Sequence, residues 1–105
     1  MERVTWKARL KPGMKAEYVK RHDEIWPEMT EMLNEAGVHN YTIWCIGDDL
    51  FGYYEAEHGA AFADKVQRES PIVAKWGEHM EGIMDMIFNP ETERPLCLEQ
   101  VFFHK

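Results

Sequence analysis

The sequence predicts an α+β fold of the ferredoxin-like type, a four-stranded antiparallel sheet with helices on one face. Three observations carry this. Four stretches read as strands, either by alternation or by β-branched and aromatic enrichment. Two intervening stretches repeat their apolar residues at helical spacing. The resulting order is strand, helix, strand, strand, helix, strand. A length of 105 residues allows one hydrophobic core, so residues 1–105 form a single domain.

Taken in order, Arg3 to Leu10 alternates as a strand and Lys11-Pro12-Gly13 supplies a turn. From Met14 to Ala36, Tyr18, Ile25, Met29, Met32, Leu33 and Ala36 recur at helical spacing, and Gly37 stands where a C-terminal cap is expected. Pro27 lacks the N–H that would bond to the Asp23 carbonyl, so this helix should kink or restart between Asp23 and Trp26. Val38 to Ile46, the turn Gly47-Asp48-Asp49 and Leu50 to Glu57 read as a hairpin. A short helix from His58 to Arg68 follows. Ser70-Pro71 then restarts the chain as a cap with proline at the first helical position, and a second helix is expected to run to Met86. After an irregular link from Asn89 to Pro95, Leu96 to Phe103 reads as the last strand.

Helices on one face leave the other face open, and here it should not be polar. The pairs Tyr53-Tyr54 and Phe102-Phe103 put an aromatic ring on each side, and Trp44 points opposite to Tyr41 and Ile43. A second copy of the chain is the expected cover, as a two-fold homodimer.

Lys and Arg number 12 against 19 Asp and Glu, a net charge of −7 with the basic residues scattered, which argues against a nucleic-acid partner. There is no long apolar span for a membrane and no signal-like leader, so a cytoplasmic protein is expected. Cys45 and Cys97 lack CxxC spacing and lie in apolar runs; both read as packing residues, without a disulfide. The five histidines include no i, i+4 pair and no HExxH, which leaves little support for a metal site.

The stretch Tyr18 to Pro27 suggests a binding pocket. Tyr18, His22, Ile25 and Met29 share the inward face of the first helix, and a break at Pro27 would open room beside His22. By pattern alone His22 also reads as an ordinary hydrogen-bonded core histidine. His39-Asn40-Tyr41 adds polar groups at a strand start, with His39 and Tyr41 expected on one face and Asn40 on the other. Trp76 beside Gly77 reads either as close packing or as an open space in front of the ring. One of Glu99 and Gln100 should face a covered side and need a partner.

The runs EYVKRHDEIWPEM (Glu17 to Met29), GVHNYTI (Gly37 to Ile43), ESPIVAKWGEHM (Glu69 to Met80) and LEQVFFH (Leu98 to His104) resemble the L-rhamnose mutarotase family over essentially the whole chain. The specific part is H-x-x-I-W-P together with H-N-Y. The resemblance implies a dimeric ferredoxin-like α/β barrel, no metal or organic cofactor, and interconversion of the α and β anomers of a 6-deoxy sugar such as L-rhamnose. His22 would be the proton donor, and Tyr18, Tyr41 and Trp76 would contact the sugar. The family's pattern has a Trp-Trp pair where this chain has Trp76-Gly77, so one sugar-facing ring is absent, which bears on which sugar is preferred.

The chemistry fits these residues. Anomer exchange needs two proton-transfer groups: histidine, which gives and takes a proton near neutrality, suits one, and a tyrosine or a water would relay the other, with Tyr18 or Tyr41 as the hydrogen-bonding helper. Trp76 and Trp26 would lie against the apolar face of the sugar, while Asn40 and His39 would meet its hydroxyls. Two other classes fit the same fold: a cofactor-free monooxygenase acting on an aromatic substrate, and a sugar-binding module without catalysis.

Overall fold

The computed structural model describes residues 1–105, and its elements are β1 (Glu2–Leu10), α1 (Lys15–Asp23), α2 (Pro27–Glu35), β2 (Val38–Ile46), β3 (Asp49–Ala56), α3 (Ala60–Glu69), α4 (Pro71–His79) and β4 (Met84–Met86). The strands pair antiparallel in the order β2-β3-β1-β4. This is the ferredoxin-like α+β arrangement, with each of its two helices broken in the middle. No helix is long and apolar enough to cross a membrane.

Both helix breaks occur at the prolines. Trp26, directly before Pro27, has φ −67° and ψ 140°, the extended geometry that a following proline imposes, and Pro27 then starts α2 at its first position. At the other break Ser70 caps α4, its hydroxyl accepting from the Val73 N–H at 3.4 Å ahead of Pro71.

The strands separate two unlike faces. On β1, Trp6, Ala8 and Leu10 turn inward while Arg3 and Arg9 turn out. Against the inner face lie Tyr18, Met29, Met32, Ala36, Ala63 and Met80 from the helices and their ends; with Leu50, Tyr54 and Ala56 of β3 they make one continuous core. The outer face carries Trp44 and Ile46, 67% and 70% exposed.

The C-terminal third departs from the sequence reading. The helix expected to reach Met86 stops at His79, because Gly82 turns the chain in the left-handed region at φ 82°. The fourth strand is Met84–Met86, paired with Ala8–Leu10, and not Leu96 to Phe103. Three residues are too few for alternation to be told from helical spacing. Residues 96–103 instead run as irregular chain beside the outward-facing Arg3 and Thr5. The Leu98 N–H donates to Thr5 Oγ1 at 2.8 Å, and the Arg3 guanidinium lies 4.1 Å from the centre of the Phe103 ring. Gln100 is exposed and accepts from Arg3 at 3.4 Å, so the partner expected for this pair of residues is found at the surface. Cys45 and Cys97 are likewise exposed and not packed in the core: Cys45 lies beside the turn between β2 and β3, its Sγ donating to the Gly47 carbonyl at 3.1 Å, and Cys97 in the irregular tail.

Candidate functional site

Between the inner sheet face and the helices lies an open cavity of about 730 Å³. Trp6, Tyr41, Ile43 and Leu50 come from the sheet, Tyr18 and His22 from α1, Ile25 from the break before Pro27, and Trp76 and Gly77 from α4. Met84 and Met86 close it from β4. The lining is mostly apolar, with Lys15, Tyr18, His22, Asp23, Tyr41 and Gln67 as its polar members, the composition of a site in which few groups fix orientation.

His22 is the best-defined of these groups. Its ring stacks on Tyr18 with centroids 4.2 Å apart, and its Nδ1 lies 3.0 Å from the Tyr18 carbonyl oxygen. A carbonyl only accepts, so Nδ1 carries the hydrogen and donates, and in the neutral ring Nε2 holds the lone pair. Burial lowers the His22 pKa from its ordinary 6.5, with the Tyr18 carbonyl and the Asp23 charge pulling the other way. The resting imidazole is therefore neutral at pH 7. Burial also pushes Tyr18 and Tyr41 upward, so both phenols keep their protons.

The aromatic groups form a connected set. Trp76 meets His22 edge-on at 5.3 Å and Trp26 edge-on at 5.1 Å. The structure thus brings Tyr18, His22, Tyr41, Trp76 and Gly77 to one cavity. Trp26 stands outside the lining, in mutual ring contact with Trp76 and His79, and supports the Trp76 ring from there.

His39 and Asn40 are not brought to the cavity, and their position corrects the expected alternation. Asn40 has φ 50°, the left-handed conformation that asparagine tolerates better than most residues, and the pairing of β2 with β3 shifts between His39 and Thr42. This bulge puts His39 and Asn40 together on the outer face and turns Tyr41 inward. There His39 Nε2 pairs with Glu57 at 2.9 Å and Asn40 donates to Glu55 at 2.7 Å.

Four polar or amphipathic lining residues escaped sequence reasoning. Lys15 had a signal, since Lys15, Tyr18, Val19 and His22 follow i, i+3, i+4, i+7. Trp6 had one in the alternation of β1. Asp23 and Gln67 stood out only as polar residues on otherwise ordinary helices. No three His, Cys, Asp or Glu side chains converge closely enough to hold a metal ion. At Gly77 an added Cβ would meet nothing within 4 Å, so this glycine marks open space, not close packing, and extends the cavity beside Trp76.

Comparison with known proteins decides the family: the sequence profile described as L-rhamnose mutarotase matches residues 3–104. The chain belongs to the L-rhamnose mutarotase family. It is 44% identical over 107 residues to the L-rhamnose mutarotase of Listeria monocytogenes serovar 1/2a, covering 98% of each chain. It is 38% identical over 107 residues to that of Mesorhizobium japonicum, covering 98% of this chain and 96% of that one. The crystal structure of an L-rhamnose mutarotase from Formosa agariphila superposes with a TM-score of 0.79 at 32% identity, covering 100% of both chains. L-rhamnose mutarotases are isomerases, and this chain shares their fold along its whole length.

Proposed function

We propose that the chain interconverts the α and β anomers of L-rhamnose or a related 6-deoxy sugar, with His22 as the proton-transfer group. The observation that carries this is the fixed tautomer of His22: a neutral imidazole held by the Tyr18 carbonyl at 3.0 Å, with the Nε2 lone pair free in an aromatic cavity. The family membership supports the same reading.

The chemistry balances with one carrier. Nε2 takes the proton of the anomeric hydroxyl as the C1–O5 bond breaks, leaving an aldehyde at C1 and an imidazolium. O1 and O5 are both bonded to C1, so the same nitrogen reaches either oxygen and delivers the proton to O5. Rotation about C1–C2 presents the other face of the aldehyde, and the reverse steps close the ring with His22 as the donor to O1. The neutral imidazole is restored at the end. Tyr18 and Tyr41, kept protonated by burial, act as hydrogen-bond donors to sugar oxygens and do not carry protons. Trp76 offers an apolar wall for the C–H face and the methyl group.

NMR saturation transfer between the anomeric protons of L-rhamnose, L-fucose and an unsubstituted hexose tests the proposal. Faster exchange than in buffer, fastest for a 6-deoxy sugar, is expected. Exchange at the buffer rate for every sugar, with binding still detectable by calorimetry, would instead identify a non-catalytic sugar-binding module.

For the assembly, we infer a homodimer that covers the outer sheet face. Trp44 and Ile46 leave an apolar surface there that water covers poorly. Sedimentation equilibrium should return twice the 12.4 kDa chain mass; a single-chain mass at micromolar concentration would remove this inference.

A further inference from the structure

One buried donor at the site has no part in the chemistry so far. Trp6 faces inward from the middle of β1, lines the cavity, and donates its indole N–H to the Tyr41 hydroxyl at 2.8 Å. An indole nitrogen can donate and cannot accept, so the direction of this bond follows from the chemistry of the two groups. The phenol oxygen has one proton and accepts from Trp6, so its own proton must point elsewhere. No hydrogen bond runs from the Tyr41 hydroxyl to Tyr18, or to Tyr54, whose ring centre is 5.1 Å away and whose own hydroxyl accepts from Gln67 Nε2 at 3.2 Å.

Two local features hold this pair in place. Gly52 is the cross-strand partner of Trp6, and a Cβ at Gly52 would lie 1.9 Å from the indole. The ring therefore rests on a strand position that only glycine leaves open. On the other side, the bulge at Asn40 is what turns Tyr41 to the inner face.

We propose that Trp6 is a positioning residue: by donating to the Tyr41 oxygen it fixes the phenol so that the Tyr41 proton is presented into the cavity, to the sugar oxygen on which negative charge develops during ring opening. Accepting one hydrogen bond also strengthens the phenol as a donor of the next, since bonded groups polarise one another. The inference rests on the mutarotase reading and adds to it the residue that orients one of its donors.

A double-mutant cycle on the anomer-exchange rate tests it, with Trp6→Phe removing the N–H and Tyr41→Phe removing the hydroxyl. Trp6→Phe should lower kcat roughly tenfold, the worth of one hydrogen bond, with KM little changed. In the Tyr41→Phe background the same substitution should have no further effect, because the hydroxyl through which it acts is gone. Losses that multiply would show that Trp6 acts through packing and would overturn the assignment. Should Trp6→Phe fail to fold, replacing Trp6 by β-(3-benzothienyl)alanine keeps the two-ring shape and deletes only the N–H; it should give the same tenfold loss, and native activity would overturn the proposal. A native protein that leaves every sugar at the buffer rate overturns the mutarotase reading itself, an outcome separate from native exchange with multiplicative losses.

Discussion

Replacing His22 by alanine is expected to slow anomer exchange by about 10²–10⁴, the usual worth of a positioned acid–base group, bringing it near the spontaneous rate. The fold should survive, because His22 is only partly buried and Tyr18, Trp76 and Trp26 keep their own contacts. Saturation transfer on native and His22→Ala protein at equal concentration checks this; a variant within threefold of native would mean that another group moves the proton. The pH dependence has a definite sign. Burial lowers the His22 pKa below 6.5, so activity that depends on the neutral ring should persist below that pH and fall only as the pH passes the lowered value. Stability moves in the same direction. In the unfolded chain the imidazole takes up a proton near 6.5, while the folded form resists it until lower pH, so His22 favours unfolding increasingly as pH drops through this window. Urea midpoints at pH 7 and pH 5 should therefore fall more for native protein than for His22→Ala.

Gly52→Ala should be the most damaging small substitution in the sheet. Its Cβ would lie 1.9, 2.2 and 2.4 Å from three atoms of the Trp6 indole, distances that force the ring or the strand to move. The ring cannot turn freely: it is buried in the core and bonded to Tyr41 at 2.8 Å. Overpacking of this kind costs about 1–3 kcal/mol, sometimes more. For a domain of this size each kcal/mol lowers the melting temperature by about 4–8 °C, so calorimetry should show a fall of at least several degrees. Activity in the folded fraction should fall too, as the indole is pushed off the Tyr41 oxygen. A melting temperature within one degree of native would show that the indole is not held against this strand.

Much of this molecule could be read from residue types and spacing, and the parts that could not share a physical cause. The break at Pro27 was legible because proline forbids one bond at a defined place. The pairing of Tyr18 with His22 was legible because i, i+4 neighbours on a helix must meet. Tyr41 and Trp76 stood out locally only as part of a polar strand start and as a tryptophan beside a glycine, each with an ordinary packing reading, and their sugar-contacting role came from the family resemblance. Misread elements depended on single backbone conformations. Gly82 ends α4 early and lets a three-residue strand take the place expected for Leu96 to Phe103. Asn40 reverses the phase of β2, and with it the fates of His39 and Tyr41. The partnership of Trp6, Gly52 and Tyr41 spans three strands, and no pattern within one segment could announce it.

The bulge at Asn40 acts on the sheet as a one-letter insertion acts on a reading frame. Before it, β2 sends Val38 inward and His39 outward; after it, odd-numbered residues point in and Thr42 and Trp44 point out. The strand is thus translated into two surfaces at once, an inward one that lines the cavity with Tyr41 and Ile43 and an outward one that exposes Trp44 and Ile46. A single extra residue keeps the two messages from being exchanged, and a protein losing it would have to rewrite every later position of the strand to keep both.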